Sequence, residues 1–300
     1  MKVLITTSSF GDEGIQTLQK SGIEVVNNPY GRKITQTEAI ALLKDIDGVI
    51  AGLEYYGDTL LSETKLKVIS RCGSGLSNID LHAARELGIS VYSTPNGPTQ
   101  SVAELTIGCL LALIRDVPRM NNLMHANKWE KFTGHLLKDM KVLLIGYGRI
   151  GKRVANILDA IGAKIFIYDP FISEKDIPDN IKKIELIDGL RIADVISLHS
   201  SGEDLILGQK EFNLMKRGVY ILNVARGGLI DEDALEKSLI SGQLVGAWLD
   251  TFQQEPYKGV LLDYNQVILT PHIGSYTFEG RKKMESDSIN NLLNGLNILG

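Results

Sequence analysis

KVLLIGYGRIGKRVANILDAIGAKIFIYD, running from Lys141 to Asp169, is the stretch that decides the fold. Its apolar run Val142-Leu143-Leu144-Ile145 is short and branched enough to be a buried strand. Gly146, Gly148 and Gly151 follow in the spacing G-x-G-x-x-G. A helical pattern then starts, with Val154, Ile157, Leu158 and Ile161 on its apolar face, and Gly162 stops it. A second strand, Lys164 to Tyr168, leads to Asp169.

Each part has a physical task. Gly146 allows the sharp turn out of the strand, Gly148 lets the backbone approach a pyrophosphate, and Gly151 lets the helix pack closely on the strand. The unpaired N–H groups at the helix start face an anion, helped by the helix dipole. A carboxylate at Asp169, about 20 residues further on, accepts from the ribose hydroxyls of a dinucleotide. It would repel a 2′-phosphate, and no Arg adjoins it, so the expected cofactor is NAD rather than NADP.

The chain on either side repeats the alternation. Before it, strand-like runs at Lys2–Thr6, Glu24–Val26, Gly48–Ala51, Lys67–Ser70 and Ser90–Tyr92 enclose helical patterns, which is a small doubly wound α/β domain. Within it, RCGSGLSNID (Arg71–Asp80) is either an ordinary Gly-rich turn or a set of exposed N–H groups able to hold a carboxylate or phosphate. Pro95-Asn96-Gly97-Pro98 breaks the chain, and the long apolar helical run from Ser101 is expected to end or kink at Pro118. Downstream, strands are expected at Asp194–His199, Tyr220–Asn223, Leu244–Trp248 and Val267–Leu269, with Ser173 and Asp231 as helix caps. The last segment, from Tyr276 on, reads as a helix.

Composition narrows the function classes. The 300 residues carry a net charge of −4, with 44% hydrophobic and 23% charged residues, ordinary for a globular protein. That charge gives no general attraction to nucleic acid or an anionic membrane. Cys72 and Cys109 are too few for a disulfide framework or a zinc cage, and no metal is expected. The start, MKVLITTSSF, lacks a leader's apolar core, and no apolar run approaches the roughly 20 residues that span a bilayer. A cytoplasmic protein is the expectation.

Three polar residues each follow a strand in the second half: Arg226 in NVARGGLID, Glu255 in LDTFQQEP and His272 in TPHIGS. Ligands of doubly wound sheets bind outside the carboxyl ends of the strands, so all three can converge on one place. Their types suit hydride transfer to a 2-oxo acid. Arg226 can bind a carboxylate and polarise a carbonyl with its planar donors. His272 can give or take the proton at the carbonyl oxygen, and Glu255 can pair with it and hold its orientation. Asp250 can accept from a nicotinamide carboxamide.

In that order and spacing, LIGYGRIG, YDP, NVARGG, LDTFQQEP and TPHIGS resemble the D-isomer-specific 2-hydroxyacid dehydrogenase family, as do RCGSGLSNID and TPNGPTQSVAELTIG. The resemblance covers nearly the whole chain. It implies two doubly wound parallel-sheet domains with a cleft between them: a discontinuous, flavodoxin-like substrate domain (1–97 plus 277–300) and an NAD-binding Rossmann domain (98–276). It implies Arg226, Glu255 and His272 as catalytic residues. Cofactor contacts would come from Gly146, Gly148, Arg149, Ile150 and Gly151 at the pyrophosphate, Asp169 at the ribose and Ser200 near the adenosine. Val224, Ala225, Asp250 and the run His272, Ile273, Gly274, Ser275 would lie at the nicotinamide end. Ser74 and Gly75 would hold the substrate carboxylate together with Arg226, and Arg71 would partner a phosphate.

The implied substrate is a D-2-hydroxy acid, D-3-phosphoglycerate first, with glyoxylate, hydroxypyruvate, lactate or a branched 2-oxo acid as alternatives. A homodimer through the NAD domain, using the Ser101–Trp129 region, is also implied, and the chain would be a short form ending after its closing helix. Two departures stand out. HSSGEDLILG has Ser201 where the resemblance implies a Pro, and Ala51-Gly52-Leu53 stands where relatives with a phosphorylated substrate often place an Arg. A non-enzymatic NAD-sensing interaction protein is the reading from another class.

Overall fold

The computed structural model describes residues 1–7 and 9–298. The chain folds as two compact units, Met1–Pro98 with the segment from Ser275 on, and Thr99–Gly274.

The first unit alternates β1 (Lys2–Ile5), α1 (Asp12–Lys20), β2 (Glu24–Asn27), α2 (Gln36–Leu43), β3 (Gly48–Ala51), α3 (Asp58–Ser62), β4 (Val68–Arg71), α4 (Leu81–Glu86) and β5 (Ser90–Ser93). All neighbouring strands are parallel, in the order β2-β1-β3-β4-β5. The central strands β3 and β4 are buried along their whole length, which is why GVIA and VISR lack polar alternation. Caps fix the helix starts: Thr35 and Glu38 form a capping box on α2, and the Asp80 side chain accepts from His82 and Ala83 N–H on α4. The order reverses between β1 and β3, so the loops after these strands open the crevice of this sheet.

The second unit begins inside α5 (Gly97–Ile114), followed by α6 (Val117–His125), β6 (Lys141–Ile145), α7 (Arg149–Ile161), β7 (Lys164–Tyr168), β8 (Lys182–Lys183), α8 (Leu186–Ile192), β9 (Val195–Leu198), α9 (Gln209–Leu214), β10 (Val219–Asn223), α10 (Glu232–Ile240), β11 (Leu244–Leu249) and β12 (Val267–Leu269). Its seven parallel strands run β12-β11-β10-β9-β6-β7-β8. The reversal lies between β6 and β9, so the Gly-rich turn after β6 and His199-Ser200 after β9 flank the crevice. The turn of α7 that faces the sheet buries Gly151, Val154, Ala155 and Leu158, and Gly162 closes the helix at φ +92°. Asp231 caps α10, accepting from Asp233 and Ala234 N–H.

Two local expectations need correction. Pro118 does not end a helix; the break falls at Asp116, in the left-handed region at φ +52°, and Pro118 sits in the first turn of α6, where its missing N–H leaves no bond unmade. Ser173 heads only a 3₁₀ turn, Glu174–Asp176, and its side chain makes no cap hydrogen bond. The sequence reading also passed over β8, a pair of exposed lysines at the sheet edge, and the short helix α8.

Helix α5 is long and apolar enough, by length and composition, to cross a membrane, with mean hydropathy 1.3, yet 61% of it is buried. Val102, Ala103, Ile107, Leu110, Leu113 and Ile114 join the core of the second unit with Val142, Leu144, Leu222 and Trp248. The closing helix, α11 (Phe278–Gly295), returns to the first unit, where Met284, Ile289, Leu292 and Leu293 pack with Val3, Ile5 and Val68.

Candidate active site

The turn after β6 has no room for side chains where the sequence has glycine. A Cβ on Gly146, at φ +96°, would lie 2.6 Å from Ser200 N and 2.7 Å from the His199 carbonyl carbon. One on Gly151 would lie 2.3 Å from the Gly146 oxygen, whereas one on Gly148 would meet nothing within 4 Å. Gly148 therefore borders open space, and no side chain caps the α7 start behind it. That leaves N–H groups near Arg149 and Ile150 available to an anion.

Asp169 is held beside this turn. Its Oδ2 accepts from Tyr147 N–H at 2.8 Å and its Oδ1 from Phe171 N–H at 2.9 Å. A hollow of about 410 Å³ is lined by Tyr147, Gly148, Arg149, Lys152, Asp169 and Phe171, among others. The open face at Gly148 and the adjacent carboxylate fit a dinucleotide, with pyrophosphate at the helix start and ribose at Asp169. Ser200 lies across the switch point, its Oγ accepting from Gly202 N–H at 3.4 Å. His199 beside it is enclosed: Nε2 pairs with Ser197 Oγ at 2.9 Å, Nδ1 is buried with no partner among the described residues, and burial pushes the imidazole pKa down to about 3.

The loops after β10, β11 and β12 carry the three chemical residues. Glu255 and His272 meet: His272 Nδ1 is 3.0 Å from Glu255 Oε2 and 3.1 Å from Oε1, with both side chains about a third exposed (38% and 34%). The Glu255 carboxylate also accepts from Phe252 N–H at 3.2 Å, which folds its loop back on itself. Arg226 sits on the neighbouring loop, partly exposed, with Nη1 donating to the Ala225 oxygen at 2.7 Å. Among the described residues it forms no ion pair, so the guanidinium keeps donors for a carboxylate.

Residues that the sequence reading passed over hold these loops together. Asn223, fully buried, donates to the Arg226 oxygen at 2.8 Å and accepts from Ala225 N–H at 3.1 Å. Val224 and Ala225 are thereby set in a tight, largely buried turn. A Cβ on Gly227 would lie 1.9 Å from the Phe252 carbonyl carbon, so the Arg226 loop lies directly on the Glu255 loop.

Asp250 anchors the His272 loop. Its Oδ1 accepts from Thr270 Oγ1 at 2.6 Å and Ile273 N–H at 2.8 Å, and its Oδ2 from Gly274 N–H at 2.8 Å. Thr270 Oγ1 in turn accepts from the Trp248 indole N–H at 3.0 Å. Burial raises the Asp250 carboxyl pKa, and these donors oppose the rise. His272 itself sits at φ +53°, in the left-handed region that costs any residue with a Cβ, and the bonds on either side sustain it. Asp250 thus has a positioning task that its expected carboxamide contact did not include.

Ser74 and Gly75 stand in the first unit on the loop after β4, Ser74 exposed and Gly75 partly so. Thr94, fully buried, steadies that loop by accepting from Gly73 N–H at 2.8 Å. Arg71 at its base is only 9% exposed, and its Nη1 donates to the Ala51 oxygen at 3.4 Å and to the Cys72 oxygen. The guanidinium is turned back onto the backbone. Ser275 is the first residue of the returning segment. Among the described residues no cluster of His, Cys, Asp or Glu could hold a metal ion.

Comparison with known proteins points the same way. Residues 107–274 match the model of the D-isomer specific 2-hydroxyacid dehydrogenase NAD binding domain. The chain is 37% identical to D-3-phosphoglycerate dehydrogenase of Sus scrofa, over 89% of this chain and 51% of that protein. It spans about half the length of such relatives (51%). It is 34% identical to hydroxypyruvate reductase of Thermotoga maritima, over 94% of this chain and 96% of that one. Among solved structures, the TT0316 protein from Thermus thermophilus superposes with a TM-score of 0.92 at 30% identity, covering 99% of this chain and 97% of that one.

Proposed function

We propose, since this chain belongs to the D-isomer specific 2-hydroxyacid dehydrogenase family, that it transfers a hydride between NAD(H) and a D-2-hydroxy acid or the matching 2-oxo acid. The observation that carries the reading is the 3.0 Å contact between His272 Nδ1 and Glu255 Oε2. With Nδ1 held by the carboxylate, Nε2 is the nitrogen left for chemistry.

Bound NAD supplies or takes the hydride. The chain's own residues do the rest. Arg226 holds the acid's carboxylate and draws electron density from the carbonyl. His272 gives its Nε2 proton to the carbonyl oxygen during reduction and takes it back during oxidation. Glu255 keeps the ring oriented and offsets the imidazolium charge. Arg149 and Ile150 N–H groups hold the pyrophosphate, Asp169 the ribose and Ser200 the adenosine side. Val224, Ala225, Asp250, Gly274 and Ser275 border the nicotinamide. Ser74 and Gly75 offer backbone donors to the substrate carboxylate, with Arg71 at the base of their loop.

D-3-phosphoglycerate and hydroxypyruvate, named for the two relatives above, bracket the substrate class. The enzyme works in the cytoplasm as a homodimer joined through the NAD unit. The test is a panel of 2-oxo acids with NADH, read by the loss of nicotinamide absorbance, beside titration of NADH by fluorescence. Turnover of at least one acid that vanishes in His272→Ala is the expected result. Tight NADH binding with no acid turned over would instead indicate an NAD-sensing interaction protein.

A further inference from the structure

The hollow beside the Gly-rich turn has an aromatic ring in its wall. Phe171 lines it two residues beyond Asp169 and is 95% exposed. A single exposed aromatic is ordinary on a protein surface. Two observations set this one apart: its place in the hollow and the anchoring of its loop. Phe171 N–H donates to Asp169 Oδ1 at 2.9 Å, and the Ile172 oxygen accepts from Lys183 Nζ at 2.7 Å. The backbone is thus tied down while the ring is left to solvent. The other ring in the lining, Tyr147, is 2% exposed and joins the core of the second unit.

The groups along the hollow follow the chemistry of a dinucleotide. Gly148 and the start of α7 suit the pyrophosphate, and Asp169 suits the ribose. A base joined to that ribose has Phe171 as its neighbouring aromatic surface. Stacking on such a ring suits any base, because every base has a π-face.

The edge of the base finds less. Adenine carries an amino group, which donates, where hypoxanthine carries a carbonyl, which accepts. Telling them apart by the amino group takes an accepting side chain. Among the described side chains that line the hollow, Arg149 and Lys152 only donate, Phe171 and Ile172 are apolar, and Asp169 is the single carboxylate. Its oxygens already accept from Tyr147 and Phe171 N–H, and the ribose hydroxyls are its other task.

We infer that Phe171 is the adenine platform of this site, and that the site reads the base by its face and not by its edge, so that a dinucleotide with hypoxanthine in place of adenine is accepted. The inference rests on the NAD reading above and adds how the far end of the cofactor is held.

The experiment measures dissociation constants by calorimetry for NADH, its hypoxanthine analogue and ADP-ribose, with Phe171→Ala and Phe171→Trp beside the wild type. The two dinucleotides should bind the wild type within about threefold of each other, as stacking alone predicts. Phe171→Ala should weaken all three ligands by a common factor of about five- to 100-fold, the worth of one base on an aromatic ring. A common factor assigns the loss to the adenosine half, since ADP-ribose lacks nicotinamide. Phe171→Trp should bind at least as tightly as the wild type. Because the ring is exposed, the melting temperature without ligand should stay within about 2 °C in either variant. Wild-type affinity for NADH in Phe171→Ala, or a loss that spares ADP-ribose, overturns the platform alone. A preference for adenine over hypoxanthine above about tenfold overturns reading by the face. If none of the three ligands binds the wild type, the NAD reading falls and the platform with it.

Discussion

His272 and Glu255 lie 17 residues apart and meet in a two-oxygen contact, Nδ1 to Oε2 at 3.0 Å and to Oε1 at 3.1 Å. The pair fixes which ring nitrogen faces away from the acid, and so which one would handle a proton in the proposed reaction. His272→Ala should lower turnover by about 10²–10⁴-fold, the usual share of a general acid–base. NADH affinity, measured by fluorescence titration, should stay within about twofold. Wild-type rates in the variant would remove His272 from the chemistry.

Asp250 holds the His272 loop by accepting from Thr270, Ile273 and Gly274. Asp250→Ala leaves these donors unmatched. We expect a loss of about 3–5 kcal/mol in unfolding free energy, as for other broken buried charge networks. The rate should fall even at temperatures where the variant stays folded. Denaturant unfolding beside single-turnover kinetics separates the two effects.

Gly148 and Gly151 should respond in opposite ways. Alanine at 148 meets nothing within 4 Å, whereas alanine at 151 would lie 2.3 Å from the Gly146 oxygen. Gly148→Ala should keep stability within about 0.5 kcal/mol and weaken NADH by tenfold or more, on the order of one displaced phosphate contact. Gly151→Ala should cost about 1–3 kcal/mol of stability. Melting curves with and without NADH read both.

On the proposed reading Asp169 sets the choice between dinucleotides, since a carboxylate repels a 2′-phosphate. The wild type should favour NADH over NADPH by at least about 100-fold. Asp169→Asn should narrow that gap tenfold or more while weakening NADH, because the acceptor for the ribose hydroxyls is diminished. Dissociation constants for both nucleotides provide the measure.

His199 makes stability depend on pH. Burial lowers its folded-state pKa to about 3, below the unfolded value near 6.5. The unfolded chain therefore takes up a proton first. This group's stabilisation is complete above about pH 6.5 and is lost as pH falls toward 3, at about 1.4 kcal/mol per unit. Between pH 6.5 and 5 the wild type should lose roughly 2 kcal/mol that His199→Gln does not. Urea titrations at the two pH values test this, and parallel losses in both proteins would exclude the effect.

Much of the architecture could be read because its signals are local. VLLI before three spaced glycines, Gly162 after a periodic helix, and the cap at Asp231 each act within a few residues. The edge strand at Lys182–Lys183 has no such signal, for its two residues are exposed and paired on one side only. Arg226, Glu255 and His272 stood out because each follows a strand in a parallel sheet. Asn223, Trp248, Thr270 and Thr94 did not, because their importance arises from bonds to loops brought near only by folding. Glu54, too, gave no local signal: it is buried and bonded to Thr6, 48 positions earlier in the chain.

The Trp248–Thr270–Asp250 chain also makes the protein its own optical gauge. The molecule has two tryptophans. Trp129 is 77% exposed, whereas Trp248 is fully enclosed and tied through its indole N–H to the threonine that braces the His272 segment. Iodide should extinguish the emission of the first and leave the second. What light remains would follow, in real time, any loosening of that segment as nucleotide arrives or departs.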